Sequence, residues 1–192
     1  MILGLTGGMG CGKTTAARQL AGLGARVIEA DAIVRDLYAG DSEVRGALRQ
    51  RHGAGIFGPD GELDRKGLAA RVFTDPTELN WLEELVHPRV RAVWLSEARK
   101  EPERWTVVEI PLLFEKGLEI HCSITVCLGA QRDVQLRRLR ERGLSEEEMA
   151  ARLARQWPLA GKMKRADFIV SNSGSLELLA VQLRHLWSLL PA

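Results

Sequence analysis

The sequence has little cysteine and none of the spacing that would make cysteine structural. Only Cys11, Cys122 and Cys127 occur in 192 residues, an odd count with no Cys-x-x-Cys pair. That argues against a disulfide framework and a zinc site, and it suits a reducing compartment. Charge of one sign is also lacking, since 27 Lys and Arg face 25 Asp and Glu, a net +2. Bulk electrostatics therefore favours neither a nucleic-acid nor a membrane partner. No apolar run approaches the roughly 18 residues of a membrane span. The opening Met-Ile-Leu-Gly-Leu-Thr-Gly-Gly has no basic stretch and too short an apolar run for a secretion signal. A cytoplasmic protein is expected. Internal repeats, low-complexity tracts and interdomain linkers are absent as well.

What is present suits one domain with a real core: 45% of residues are hydrophobic and 27% charged. Short apolar runs ended by turn residues predict strands at 2–6, 26–30, 105–110, 123–128 and 167–171. Helices are predicted over 13–23, 32–38, about 131–142 and about 175–190, and most of 41–103 reads as helical. Phe57-Gly58-Pro59-Asp60-Gly61 breaks that stretch with a turn, because Pro presets φ and Gly accepts positive φ. Helices follow from about Asp64 to Phe73 and from about Thr77 to Val86, and His87-Pro88 marks a kink or a new helix start. Ser145 to Glu148 forms a capping box that opens another helix. Strands alternating with helices imply an α/β three-layer sandwich with a central five-stranded parallel sheet. The expected layout is a core of about 1–35, 104–142 and 166–192, a helical insertion of about 36–103, and a small helical lid of about 143–165.

Residues 7–14, Gly-Gly-Met-Gly-Cys-Gly-Lys-Thr, match G-x-x-x-x-G-K-[ST] between a predicted strand and a predicted helix. In such a loop glycines let successive N–H groups point at phosphate oxygens, and the following helix adds its positive end. The phosphate cradle is thus Gly8, Met9, Gly10, Cys11, Gly12, Lys13, Thr14 and Thr15. Lys13 supplies a mobile charge for the β- and γ-phosphates of ATP, and the Thr14 hydroxyl a hard oxygen for Mg²⁺. The alternative is a glycine-rich strand-to-helix turn with no ligand. Cys11, at a helix N-terminus beside a lysine, is expected to have a lowered pKa, or merely to replace a small serine.

No guanine-reading Asn-Lys-x-Asp occurs, which argues against a GTPase. Asp64-Arg-Lys-Gly67 matches D-x-x-G but falls in a helical stretch and reads as chance. Glu109, in Val107-Val-Glu-Ile110, is a candidate holder of a Mg²⁺-bound water, or else an edge or charge-paired residue. Asp31, after the second strand, can accept a hydroxyl proton from an acceptor substrate, cap the next helix, or do both. Gln135, Arg138 and Arg142 share one helical face, with Arg152, Arg155 and Gln156 on the next helix. Such arginines can stabilise the charge of a transferring phosphoryl group, or form a solvated face.

Taken together these residues resemble the dephospho-coenzyme A kinase family. The resemblance rests on Thr6-Gly-Gly-Met-Gly-Cys-Gly-Lys13, Val27-Ile-Glu-Ala-Asp31, Phe73-Thr-Asp-Pro76, Leu85-Val-His-Pro88 and Pro111-Leu-Leu-Phe-Glu115. Gln135, Arg138, Arg142, Arg152, Gln156, Ala166-Asp167 and Asn172-Ser-Gly174 continue it nearly to the end of the chain. Cys11 stands where Ser is usual and Glu29 where Asp is usual. The resemblance implies transfer of the ATP γ-phosphate to the ribose 3′-hydroxyl of dephospho-coenzyme A. It implies Asp31 as base, Lys13 and Arg138 in the transfer, Arg142 and Asn172 at the nucleotide, and Arg65, His87, Pro111, Leu112, Leu113, Phe114 and Glu115 at the acceptor. Phe73 and Phe114 read as core or as acceptor contacts, and His87 also as a residue that simply precedes Pro88. A monomer is expected, or weak self-association, with no nucleic-acid or membrane partner. Another P-loop kinase with a different acceptor is the nearest alternative, and a nucleotide-binding switch a more distant one.

Overall fold

The structure, a computed structural model, describes residues 1–191 except for the side chain of Phe73. In chain order its elements are β1 (Ile2–Gly7), α1 (Lys13–Gly22), β2 (Arg26–Glu29), α2 (Ala30–Gly40), α3 (Ser42–His52), α4 (Arg65–Thr74) and α5 (Pro76–Arg99). They continue with β3 (Thr106–Glu109), β4 (Ile124–Gly129), α6 (Arg132–Glu141), α7 (Glu146–Leu153), α8 (Leu159–Arg165), β5 (Phe168–Ser171) and α9 (Leu176–Leu189). Single turns of 3₁₀ helix lie at Ala54–Ile56 and Leu118–His121. Residues Ala30–Arg99 form one compact unit, and Met1–Glu29 with the chain from Lys100 onward form another.

The second of these holds the sheet. Its five strands run in the order β2-β3-β1-β4-β5, and every pairing is parallel. A central strand covered on both faces has no use for polar alternation, so β1 is apolar apart from Thr6, which is itself buried. On one face Leu3, Leu5, Val107, Val126, Leu128 and Val170 meet Ala16, Ala17 and Leu20 of α1 and Leu179, Leu183 and Leu186 of α9. Those spacings on α1 and α9 are the i, i+3, i+4 and i+7 steps of one helical stripe. The opposite face carries Gly4, where an added Cβ would sit 3.2 Å from Leu113. α8 also packs on β1 and β4. The predicted five-stranded parallel α/β architecture is thus the observed one, with strand ends moved by a residue.

The unit Ala30–Arg99 is helical. Leu82, Val86, Val90, Trp94 and Ala98 form a buried stripe at every fourth position of α5, which packs on α4 and α2. The turn at 57–61 is present, with Gly61 donating to the Gly58 carbonyl at 2.9 Å. Asp64 caps α4 by accepting from the Gly67 N–H at 2.9 Å. Its match to D-x-x-G is therefore a helix cap.

Of the two readings of His87-Pro88, a kink or a new helix start, the second does not hold, because α5 runs through Pro88. An interior proline costs about 3 kcal/mol or more through its missing N–H and ring clash. The stripe on both sides of Pro88 must stay continuous, and that burial outweighs the cost. Arg89 reaches back with Nη1 to the Leu85 carbonyl at 2.7 Å, a side-chain donor in the turn the proline disturbs.

Candidate active site

The P-loop leaves β1 at its carboxyl end and enters α1. Gly10 and Gly12 hold φ of 77° and 85°, a left-handed region that side chains disfavour. Space is lacking too: a Cβ at Gly10 would lie 2.8 Å from the Gln135 carbonyl oxygen. Lys13 folds back over the loop, its Nζ donating to the Gly7 and Gly8 carbonyls at 3.3 Å each. Thr14, in the first turn of α1, donates its hydroxyl to Glu109 Oε1 at 3.2 Å. The two residues expected at Mg²⁺ are therefore neighbours. A hydroxyl and a carboxylate are hard oxygen donors of the kind Mg²⁺ prefers. Among the described residues no cluster of three or more His, Cys, Asp or Glu could hold a metal. The pair instead suits a metal that keeps several waters and shares substrate phosphates.

Two further elements close around the loop. Asn172, just after β5, is buried, and its Nδ2 donates to the Cys11 carbonyl at 2.8 Å. Its Oδ1 lies 3.5 Å from Arg138 Nη2, while Arg138 Nη1 reaches the Gly10 carbonyl at 3.3 Å. Ser175, not Asn172, caps α9. Gln135 of α6 is buried and donates to the Ala130 carbonyl at 2.7 Å, in the connection between β4 and α6. Thr15, Arg138, Arg142 and Asn172 line a cleft of about 250 Å³ with Gly12. A larger cavity of about 610 Å³ lies between Gly8 and Gln135 on one side and Gln156 and Trp157 on the other.

Of the two readings of Cys11, the lowered pKa does not hold. Cys11 is wholly buried, and burial pushes its thiol up, with Lys13 acting the other way. Desolvation of the thiolate outweighs the nearby positive charge. A low-pKa reactive thiol is not what the loop contains.

Pro111 to Glu115 follow β3. Leu113 and Phe114 are core, at 0% and 3% exposure, so they are not open to an acceptor where they stand. Leu112 is half-buried. Glu115 Oε1 accepts from the Trp157 N–H at 2.8 Å and pairs with Lys162 Nζ at 2.8 Å. The Pro111 carbonyl also accepts from Lys162 Nζ, at 2.7 Å. Lys162 is fully buried. Sequence reasoning missed it, for a lysine on a short basic helix reads as solvated.

In the helical unit, Asp31 lies exposed in the first turn of α2, one residue into the helix. It therefore neither caps that helix nor continues β2. Glu29 stands in register with Glu109 on β3. Arg65 begins α4 and His87 lies in α5, and both line one cavity of about 280 Å³ with Val34, Tyr38 and Glu83. Burial pushes the Tyr38 hydroxyl up. The expectation for Phe73 falls outside the described residues.

Residues 1–177 match the family described as Dephospho-CoA kinase. The chain belongs to that family. The dephospho-CoA kinase of Gloeobacter violaceus is 38% identical over 182 residues, covering 94% of this chain and 88% of its own. A solved dephospho-CoA kinase from Campylobacter jejuni superposes with a TM-score of 0.73 at 27% identity, over 97% of this chain and 95% of that one. A solved Thermus thermophilus protein gives a TM-score of 0.85 at 37% identity, over 100% and 98% of the two chains. A dephospho-CoA kinase is a phosphotransferase with a hydroxyl acceptor, and a kinase of this family uses a nucleotide. In this chain the loop, the Thr14–Glu109 pair and Arg138 stand together beyond the carboxyl end of β1. No helix among the described residues is long and apolar enough to cross a membrane.

Proposed function

We propose that this protein transfers the γ-phosphate of ATP to the 3′-hydroxyl of the ribose of dephospho-coenzyme A, giving coenzyme A and ADP, the final step of coenzyme A synthesis. The observation that carries the reading is the assembled loop of this family's chain, where Thr14 meets Glu109 and Arg138 meets Gly10 and Asn172. ATP phosphates sit against the N–H groups of Gly8 to Thr15, with Lys13 and Arg138 on the transferring group. Phosphoryl transfer leaves little covalent chemistry to the protein, so positioning and charge stabilisation do most of the work. Arg142 and Asn172 flank the nucleotide in the cleft they share with Thr15.

Asp31 accepts the proton of the acceptor hydroxyl as the phosphoryl group arrives. Its carboxylate is exposed in the first turn of α2, open to an incoming hydroxyl. Arg65 and His87 bind the acceptor from their common cavity. In the other unit, the segment Pro111–Glu115 is read as acceptor-binding through its backbone and the half-buried Leu112. Mg²⁺ would be held by Thr14 and, through water, by Glu109, and when bound it neutralises phosphate charge. The helical unit serves the acceptor and residues 143–165 form the lid. Three free cysteines support a cytoplasmic location. The near-neutral charge supports the absence of a nucleic-acid partner, and we read the protein as a monomer.

The regiochemistry tests this directly. Phosphorus NMR of the product from ATP and dephospho-coenzyme A should show a new monoester on the ribose 3′-oxygen. A phosphate at any other oxygen would contradict the assignment.

A further inference from the structure

One buried cation plays no part in the reading above. Lys162 of α8 is wholly buried, and its ammonium lies 2.7 Å from the Pro111 carbonyl and 2.8 Å from Glu115 Oε1. Both acceptors belong to the segment after β3, and each has a second partner that leads elsewhere. Pro111's carbonyl also accepts from the Thr6 hydroxyl at 3.3 Å, one residue before the P-loop begins at Gly7. Glu115 Oε1 also accepts from the Trp157 N–H at 2.8 Å, at the base of the lid. Trp157 in turn stacks with the Arg165 guanidinium, which ion-pairs with Glu119. The P-loop edge, the segment 111–115 and the lid base thus meet at one ammonium group.

We propose that Lys162 is a positioning residue for phosphoryl transfer: it fixes the 111–115 segment and the lid base in one arrangement relative to the P-loop. An ammonium offers three donors on a compact charge and can serve several acceptors at once. A buried ion pair adds little to net stability, because desolvating both charges offsets their attraction. Its effect is to define geometry. Lid motion is then confined to α7, beyond the residues that Lys162 and Arg165 anchor. The inference rests on the reading of 111–115 as an acceptor segment.

The test is the pair Lys162→Met with Glu115→Gln. Lys162→Met alone strands a buried carboxylate and is expected to unfold readily. Adding Glu115→Gln removes that charge while the amide oxygen still accepts from the Trp157 N–H. In the folded double variant the acceptor KM should rise about tenfold or more, with the KM for ATP within about twofold. An acceptor KM within about twofold of the parent in the double variant overturns the proposal. Amide exchange is measured on the same proteins with no substrate present. Faster exchange in both 111–117 and 154–159 of the double variant supports the proposal, and unchanged exchange in both overturns it. Should the parent not phosphorylate dephospho-coenzyme A, the functional reading fails, and exchange alone decides the role of Lys162.

Discussion

Asn172 binds the phosphate loop from the far end of the chain, its Nδ2 donating to the Cys11 carbonyl at 2.8 Å across 161 residues. The same side chain meets Arg138, so loop, sheet end and α6 share one buried amide. Replacing Asn172 with Ala removes the donor and leaves the Cys11 carbonyl buried without it. Stability should fall by about 1–3 kcal/mol. ATP affinity should fall with it, because the loop loses its brace. Thermal melting and calorimetric titration with ATP measure the two effects.

Asp31→Asn keeps shape and hydrogen bonding but removes the base. Turnover should fall by about 10²–10⁴-fold, the range for a positioned proton acceptor. ATP affinity should hold, since the phosphate loop is untouched. Steady-state kinetics and nucleotide titration on one preparation separate these. A nucleotide-binding switch would be indifferent to the change.

Thr14→Val removes the hydroxyl that meets Glu109 at 3.2 Å without changing the volume much. Glu109→Gln removes the carboxylate charge. Each should raise the Mg²⁺ concentration for half-maximal activity by about 10–100-fold, the usual effect of altering a metal's immediate surroundings. Chelation with EDTA should abolish turnover in the parent, and added Mg²⁺ restore it.

Burial raises the thiols of Cys122 and Cys127 from the ordinary 9.0 to about 12 and about 11. Above pH 9 the unfolded chain loses these protons while the folded one keeps them. The stability they contribute is therefore full below pH 9.0 and is lost as pH rises through about 11 to 12. Melting temperature should decline over that window, and more shallowly in Cys127→Ala than in the parent.

Much of this was legible in the sequence because the loop's chemistry is local. A strand, a glycine-rich turn, a lysine and a threonine are consecutive, so β1, the P-loop and α1 follow from residues 2–22 alone. The five strands were legible for the same reason, as apolar runs ended by turns. Contacts between distant residues were less accessible. Pro88 reads as a boundary until the four-residue stripe of α5 is seen to cross it. Cys11 reads as activated until burial is weighed against Lys13. Leu113 and Phe114 belong to a motif that points to the acceptor, yet packing places them in the core. Lys162 gave no signal, since a buried lysine differs from an exposed one only in partners far along the chain.

The acceptor is the central claim, and one assay tests it. The protein is incubated with ATP, Mg²⁺ and a mixture of dephospho-coenzyme A, nucleoside monophosphates, shikimate and gluconate, and the products are weighed by mass spectrometry. The account predicts one new species, a phosphate heavier than dephospho-coenzyme A and co-eluting with coenzyme A. Turnover of another acceptor alone, or tight nucleotide binding with no turnover, would contradict it.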